Sequence, residues 1–189
     1  GVVAATAADI RPLVIGSPLP EVELRNIAGE KTSLGKLLEN GPLVLAFYRG
    51  GWCPYCNRQL AGLQQVEGTL KSLGYRILAI SPDKPEKLKE SVGKNELTYT
   101  LLSDSGMAAA KAFGIAFQVD DETLLKLKGY NIDLEAASGE KHHGLPVPAV
   151  FIIGQDGLIR FAYANPDYKV RLDIEVLLAA ARAGLEKEN

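Results

Sequence analysis

Leu43 to Tyr48 (LVLAFY) is a continuously apolar run of strand-forming residues, preceded by Gly41-Pro42 and followed by Gly50-Gly51, and Cys53-Pro54-Tyr55-Cys56 comes directly after it. Beyond the cysteines, Leu60, Leu63, Val66, Leu70 and Leu73 recur at spacings of three and four, which predicts a long amphipathic helix closed at Gly74. Tyr75 to Ile80 (YRILAI) is a second buried-strand pattern. A strand, a helix and a strand in this order imply a parallel, right-handed crossover. The cysteine pair therefore belongs at a strand-to-helix junction, on the first turn of the helix.

The rest of the chain extends this unit. Pro18 to Leu34 alternates around Ala28-Gly29 and predicts a short hairpin, after which Ser33 can cap a helix containing Leu34, Leu37 and Leu38. Ser81-Pro82-Asp83-Lys84-Pro85 opens another helix, Tyr99 to Leu102 forms a strand, and Ser105 to Phe113 forms a helix stopped by Gly114. Ile115 to Gly144 reads as an insertion over one edge of the sheet, with a helix around Glu122 to Lys128 and Asp120-Asp121 capping it. Ala149 to Ile153 and Leu158 to Tyr163 form a hairpin, and Leu172, Val176 and Ala179-Ala180 stripe a last helix. The order predicts an α/β architecture, a mixed central sheet with helices on both faces. It comprises one domain over residues 18–189, preceded by an extension over residues 1–17.

With 189 residues, 47% hydrophobic and 23% charged, and a net charge of -2, the chain can bury a full core and carries no basic field for nucleic acid or an anionic membrane. Its apolar runs fall far short of the roughly 20 residues of a membrane helix. Gly1 to Ala8 lacks the charged leader and long hydrophobic core of a signal peptide, although a start at Gly1 leaves a removed leader open. There are two cysteines, both in one C-x-x-C. That usage points to local redox chemistry in the cytoplasm, not to a stapled secreted scaffold.

Two other uses of such a pair have to be weighed. A zinc site would need two more ligands, and the two histidines, His142 and His143, are adjacent instead of spaced as H-x3-5-H. Simple packing does not ask for Gly50-Gly51 and Pro54 around the thiols. A redox pair does, because free N–H groups and the positive end of the helix stabilise a thiolate by roughly 0.3 to 2 kcal/mol. That lowers a thiol from about 8.5 by up to about 1.5 units. No metal site and no cofactor is expected, since no glycine-rich phosphate loop or dinucleotide fingerprint is present.

The segment Phe47-Tyr48-Arg49-Gly50-Gly51-Trp52-Cys53-Pro54-Tyr55-Cys56, with Gly144-Leu145-Pro146-Val147-Pro148-Ala149-Val150-Phe151-Ile152-Ile153, resembles the peroxiredoxin-like branch of the alkyl hydroperoxide reductase and thiol-specific antioxidant (AhpC/TSA) family. The resemblance runs from about Pro18 to the last helix and implies a thioredoxin fold, with Pro148 as a cis-proline facing the cysteines. The family pattern P-x-x-x-T-x-x-C, set in register on Phe47-Tyr48, places Arg49 at the Pro, Cys53 at the Thr and Cys56 at the peroxidatic cysteine. The family's Arg near the cis-proline falls where this chain has Pro148. The pair thus combines a thioredoxin-like C-P-x-C with a peroxiredoxin frame.

Two role assignments follow from the resemblance. In the thioredoxin manner Cys53 attacks and Cys56 resolves; in the peroxiredoxin manner Cys56 attacks the peroxide and Cys53 condenses with the sulfenic acid. Both end in one Cys53-Cys56 disulfide. The implied activity is reduction of hydrogen peroxide or organic hydroperoxides, with thioredoxin or a glutathione-type thiol as reductant. A disulfide reductase and a redox-sensing module are the alternatives, and a homodimer is allowed. Arg49, Trp52, Tyr55 and Pro148 are candidates for positioning substrate. His142 and His143 are expected in solvent.

Overall fold

The structure, a computed structural model, describes residues 2–186. Its strands are β1 (Glu23–Arg25), β2 (Lys31–Ser33), β3 (Leu43–Phe47), β4 (Arg76–Ser81), β5 (Thr100–Ser103), β6 (Ala116–Gln118), β7 (Gly144–Pro146), β8 (Ala149–Ile153) and β9 (Ile159–Ala164). Its α-helices are α1 (Leu34–Leu38), α2 (Pro54–Ser72), α3 (Pro85–Asn95), α4 (Ala108–Ala112), α5 (Asp121–Gly129), α6 (Leu134–Ser138) and α7 (Ile174–Glu186). Seven strands form the main sheet in the order β2-β1-β5-β4-β3-β8-β9, with β3, β4 and β5 parallel and β8 antiparallel to β3. This is the predicted α/β arrangement.

The unbroken apolar run of β3 has a packing cause: both faces of that strand are covered. Val44, Ala46 and Tyr48 join Leu60, Leu63 and Leu177 of α2 and α7 in one core, while Leu43, Leu45 and Phe47 face a second. In the second core Phe113 stacks at 5.2 Å from Phe47 and 4.8 Å from Phe151, centroid to centroid. Both cysteines lie in the α2 core. The hairpin forms as predicted, and Ser33 Oγ accepts the Lys36 N–H at 3.2 Å to start α1. Helix α4 is shorter than its small-residue run suggests, because Met107 takes a left-handed φ of 67° and Asp104 caps the helix from upstream, accepting the Ala109 and Ala110 N–H groups.

Two expectations are corrected. The segment after Ile115 does not lie over a sheet edge; the edges are β2 and β9. Its strands β6 and β7 pair with each other, and Val119, Leu127, Leu134 and Leu145 form a small core against which Trp52 packs. The insertion is thus a wall beside the cysteine loop. Pro148 is also not cis, since no peptide bond among the described residues is. Val147 N–H donates to Ile115 O at 3.0 Å between β7 and β8, and Pro148 leads into β8. With Ala149 opposite Phe47, Pro148 is buried at the end of β8 that flanks Tyr48.

The N-terminal extension is held by the second face. Arg11 N–H reaches Gly114 O and Leu13 N–H reaches Phe113 O, each at 3.0 Å. Gly114 has φ of 74°, and a Cβ there would stand 2.0 Å from Arg11 O. Gly114→Ala should therefore lower stability by about 1 to 3 kcal/mol and detach the extension. Urea denaturation together with proteolysis near Arg11 reads both effects, and an unchanged midpoint would exclude this contact as a stabilising one.

Candidate active site

Cys53 is the N-cap of α2 and Pro54 its first helical residue, a position where the missing N–H costs nothing. This places Cys53 at the helix mouth and Cys56 one turn inside, with exposures of 2% and 0%. The turn before them is built from small residues because there is no room for others. A Cβ on Gly50 would meet the Trp52 indole Nε1 at 2.2 Å, and one on Gly51 would meet Ser91 Oγ at 2.3 Å. Asn57 Nδ2 closes the turn by donating to Gly51 O at 2.8 Å.

The sulfurs are approached by N–H donors from two sides. Arg49 backbone N–H lies 3.4 Å from Cys56 Sγ. Arg171 Nη2 lies 3.2 Å from Cys56 Sγ and 3.9 Å from Cys53 Sγ. The guanidinium of Arg171 is anchored on its other nitrogens, where Nη1 donates to Gln59 Oε1 at 2.6 Å and Nε to Tyr168 O at 2.9 Å. A fork gripped at two corners leaves its third free to serve the thiols.

Arg49 is buried, at 7% exposure, and its guanidinium sits between Trp52 (5.1 Å) and Tyr168 (4.4 Å). Tyr168 also packs edge-on against Tyr55 at 5.6 Å. The segment Tyr168 to Arg171 thus forms a strap over the cysteines, bearing on Arg49, Tyr55 and Gln59.

The two thiols share one proton unequally. Cys53 is lowered to about 6, first by the hydrogen bond it receives from the Cys56 thiol and further by the Cys56 N–H, Arg49 and Arg171, against a burial penalty. Cys56 is pushed well up, mainly by burial and then by donating to Cys53 and lying beside its charge. These directions favour the charge on Cys53, while the N–H donors of Arg49 and Arg171 point at Cys56 Sγ.

Of the residues singled out in the sequence, Cys53, Cys56, Arg49, Trp52 and Tyr55 come together, and Pro148 lies at the same end of the sheet. The histidines do not stand free in solvent. His142 Nε2 donates to Ser105 O at 2.6 Å while its Nδ1 accepts Gly144 N–H, and His143 bonds Glu135 at 2.8 Å. Arg171 and Gln59 are site residues that no motif marks. Gln59 is three residues after Cys56 on one helix, so the i, i+3 relation could have pointed to it. Nothing local marks Arg171, which lies in a loop after β9.

The AhpC/TSA family pattern matches residues 15–162, from the end of the extension through most of β9. The chain belongs to the AhpC/TSA family. Within that family it is 36% identical over 106 residues to peroxiredoxin Bcp of Escherichia coli K12, an alignment covering 56% of this chain and 67% of that protein. Among solved structures, peroxidoxin BcpB of Mycobacterium tuberculosis superposes with a TM-score of 0.69 at 21% identity, over 89% of this chain and 96% of that one. Peroxiredoxin 6 of Arenicola marina, as a cysteine-to-serine mutant, gives 0.76 at 20% identity, over 94% and 76%. These likenesses establish the thioredoxin fold of the peroxiredoxins for this AhpC/TSA member. No helix among the described residues is long and apolar enough to cross a membrane.

Proposed function

We propose that this peroxiredoxin-like protein is a thiol-dependent peroxidase that works through a Cys53/Cys56 dithiol-disulfide cycle. The observation that carries the reading is the Arg171 guanidinium lying across both sulfurs, at 3.2 and 3.9 Å, inside the family frame. A donor in that place can bind a peroxide oxygen and steady the negative charge that leaves on it.

In this reading the Cys53 thiolate attacks the near oxygen of ROOH, forming an S–O bond as the O–O bond breaks. The departing alkoxide takes the Cys56 proton, giving ROH, a Cys53 sulfenic acid and a Cys56 thiolate under the N–H groups of Arg49 and Arg171. Cys56 then attacks the Cys53 sulfur, expelling hydroxide, and the disulfide forms. A thioredoxin- or glutathione-type dithiol or thiol pair returns two electrons. The polarity reverses the assignment that the family register suggests. Both sulfurs and the arginine come from one chain, so the chemistry needs no second copy. A cytoplasmic, reducing setting fits a chain whose two cysteines both serve the cycle.

Two measurements bear on the thiols. Thiolate absorbance should titrate one proton with a midpoint of about 6, leaving the second thiol protonated past pH 8. A folded-state value below the ordinary 8.5 also means that the Cys53 thiolate stabilises the fold at high pH, fully above about 8.5 and progressively less as pH falls to 6. A midpoint near 8.5 removes the thiolate from the resting state. For substrate, a cleft of about 240 Å³ beside Arg171 is lined mainly by Leu63, Val150, Leu172 and Leu177, with Arg58 and Lys169 also on its wall. Its apolar lining suits the organic part of an alkyl hydroperoxide, so KM should be lower for an organic hydroperoxide than for hydrogen peroxide; equal values would leave the cleft without that role.

The low Cys53 and high Cys56 values also favour a second reading, disulfide reduction. The burial of both sulfurs beneath the strap weighs against protein disulfides. Turnover of insulin or glutathione disulfide without peroxide consumption would select it.

A further inference from the structure

Asp83 takes no part in the chemistry described so far, yet it is tied to it. The residue is 2% exposed, in the turn after β4, and its Oδ2 accepts the Gly51 N–H at 2.7 Å. Its own backbone is fixed on both sides: Asp83 N–H donates to Ser81 Oγ at 3.3 Å and Ser103 Oγ donates to Asp83 O at 2.6 Å. Oδ1 stands 2.9 Å from where a Gly50 Cβ would be, against the same space that the Trp52 indole fills. The carboxylate therefore grips the Gly50-Gly51-Trp52 turn from a rigid strand end. Two residues after Gly51 comes Cys53.

We propose that Asp83 is a positioning residue for the cysteine pair, holding through the Gly51 amide the turn that sets where Cys53 enters the first turn of α2. A charged acceptor makes this bond shorter and stronger than a neutral one. Nothing structural alone calls for a charge there, because burial disfavours it: the Asp83 carboxyl is raised to about 6, chiefly by desolvation, with the Gly51 N–H and Lys87 opposing and Glu90 assisting. A raised carboxyl destabilises the fold when ionised. As pH rises from about 4 to about 6 this group lowers native stability, and above 6 the penalty is constant.

The charged and titratable groups around Asp83 are few. Tyr48, just after β3, feels its charge, and Lys87 and Glu90 face it from α3. On one side it shares a small cavity with Arg49, His142 and His143; on the other, a cleft with Lys94 and Asp133. The ionised form thus costs stability and yields a better-held loop. That combination is expected of a functional group, not of a packing one.

The test is Asp83→Asn, which keeps an acceptor for Gly51 and loses the charge, beside Asp83→Ala, which loses both. In the wild type the Gly51 amide resonance should shift with a midpoint of about 6, and in Asp83→Asn that transition should vanish. The rate of thiol loss with hydrogen peroxide should fall below pH 6 with a slope of one from Cys53 in both proteins, and the wild type should show a further few-fold drop through pH 6, as Asp83 takes up its proton, that Asp83→Asn lacks. At pH 7.5 Asp83→Ala should react about ten- to a hundredfold more slowly with its thiol titration unmoved, while Asp83→Asn stays within a few fold. Asp83→Asn should also be the more stable protein at that pH. A Gly51 amide that does not titrate, or an Asp83→Ala rate equal to wild type, overturns the proposal. The amide measurement stands even if the protein proves not to be a peroxidase, so this inference and the functional reading fail separately.

Discussion

Replacing Cys53 by serine should abolish the fast reaction with peroxide, by on the order of a thousandfold or more, because a hydroxyl in that place is not ionised near neutral pH and cannot attack an O–O bond. Cys56→Ser should behave differently. The serine hydroxyl can still donate to Cys53 in place of the thiol, so the Cys53 thiolate is kept and an initial turnover remains. That turnover should stop at a sulfenic acid on Cys53, which dimedone captures and mass spectrometry locates. Stopped-flow mixing with hydrogen peroxide, followed through Trp52 beside the sulfurs, separates the cases. If the fast phase survives Cys53→Ser and disappears in Cys56→Ser, the roles are exchanged. If the reduced wild type reacts no faster than a free thiol, the peroxidase reading itself falls.

Arg171→Met should slow the reaction of the reduced protein with peroxide by about 10² to 10³, the usual cost of removing one donor aimed at developing charge. The thiol midpoint should rise as well, since Arg171 helps lower Cys53. Ionisation alone does not account for the loss: a rise from about 6 to about 7 would only take the thiolate at pH 7 from about nine-tenths to about half. The remaining effect belongs to the transition state, and comparing rates at pH 9, where both proteins are ionised, isolates it. Arg171→Lys should recover only part, because one ammonium cannot reach Gln59, Tyr168 O and two sulfurs together. A variant as fast as wild type at pH 9 would reduce Arg171 to a charge that tunes the thiol.

Much of this molecule is local and could be read in the chain. The strand, cysteine helix and strand from Leu43 to Ile80 depend on periodicity and on Gly and Pro at the joints, and all three elements form where the pattern places them. Elsewhere the outcome depends on caps and contacts that periodicity does not record. Helix α4 begins late, at Ala108, because Met107 turns left-handed and Asp104 provides the cap, and the run of small residues holds no sign of that. The insertion has helical periodicity over Glu122 to Lys128, but its docking on Trp52 depends on a core shared with Leu145 after the second helix.

The cysteine motif, its seat at the start of α2 and the expectation of a lowered thiol were determined by the sequence, since a helix end and its free N–H groups are made within a few residues. Which thiol holds the charge was decided only in three dimensions. Cys53 is lowered first by the thiol of Cys56 that donates to it, and Cys56 is raised by its enclosure in the α2 core, while Arg171, arriving across 115 residues of chain, lowers both. Burial and the direction of a guanidinium are properties of packing, and periodicity records which face of an element is buried but not what will be laid against it.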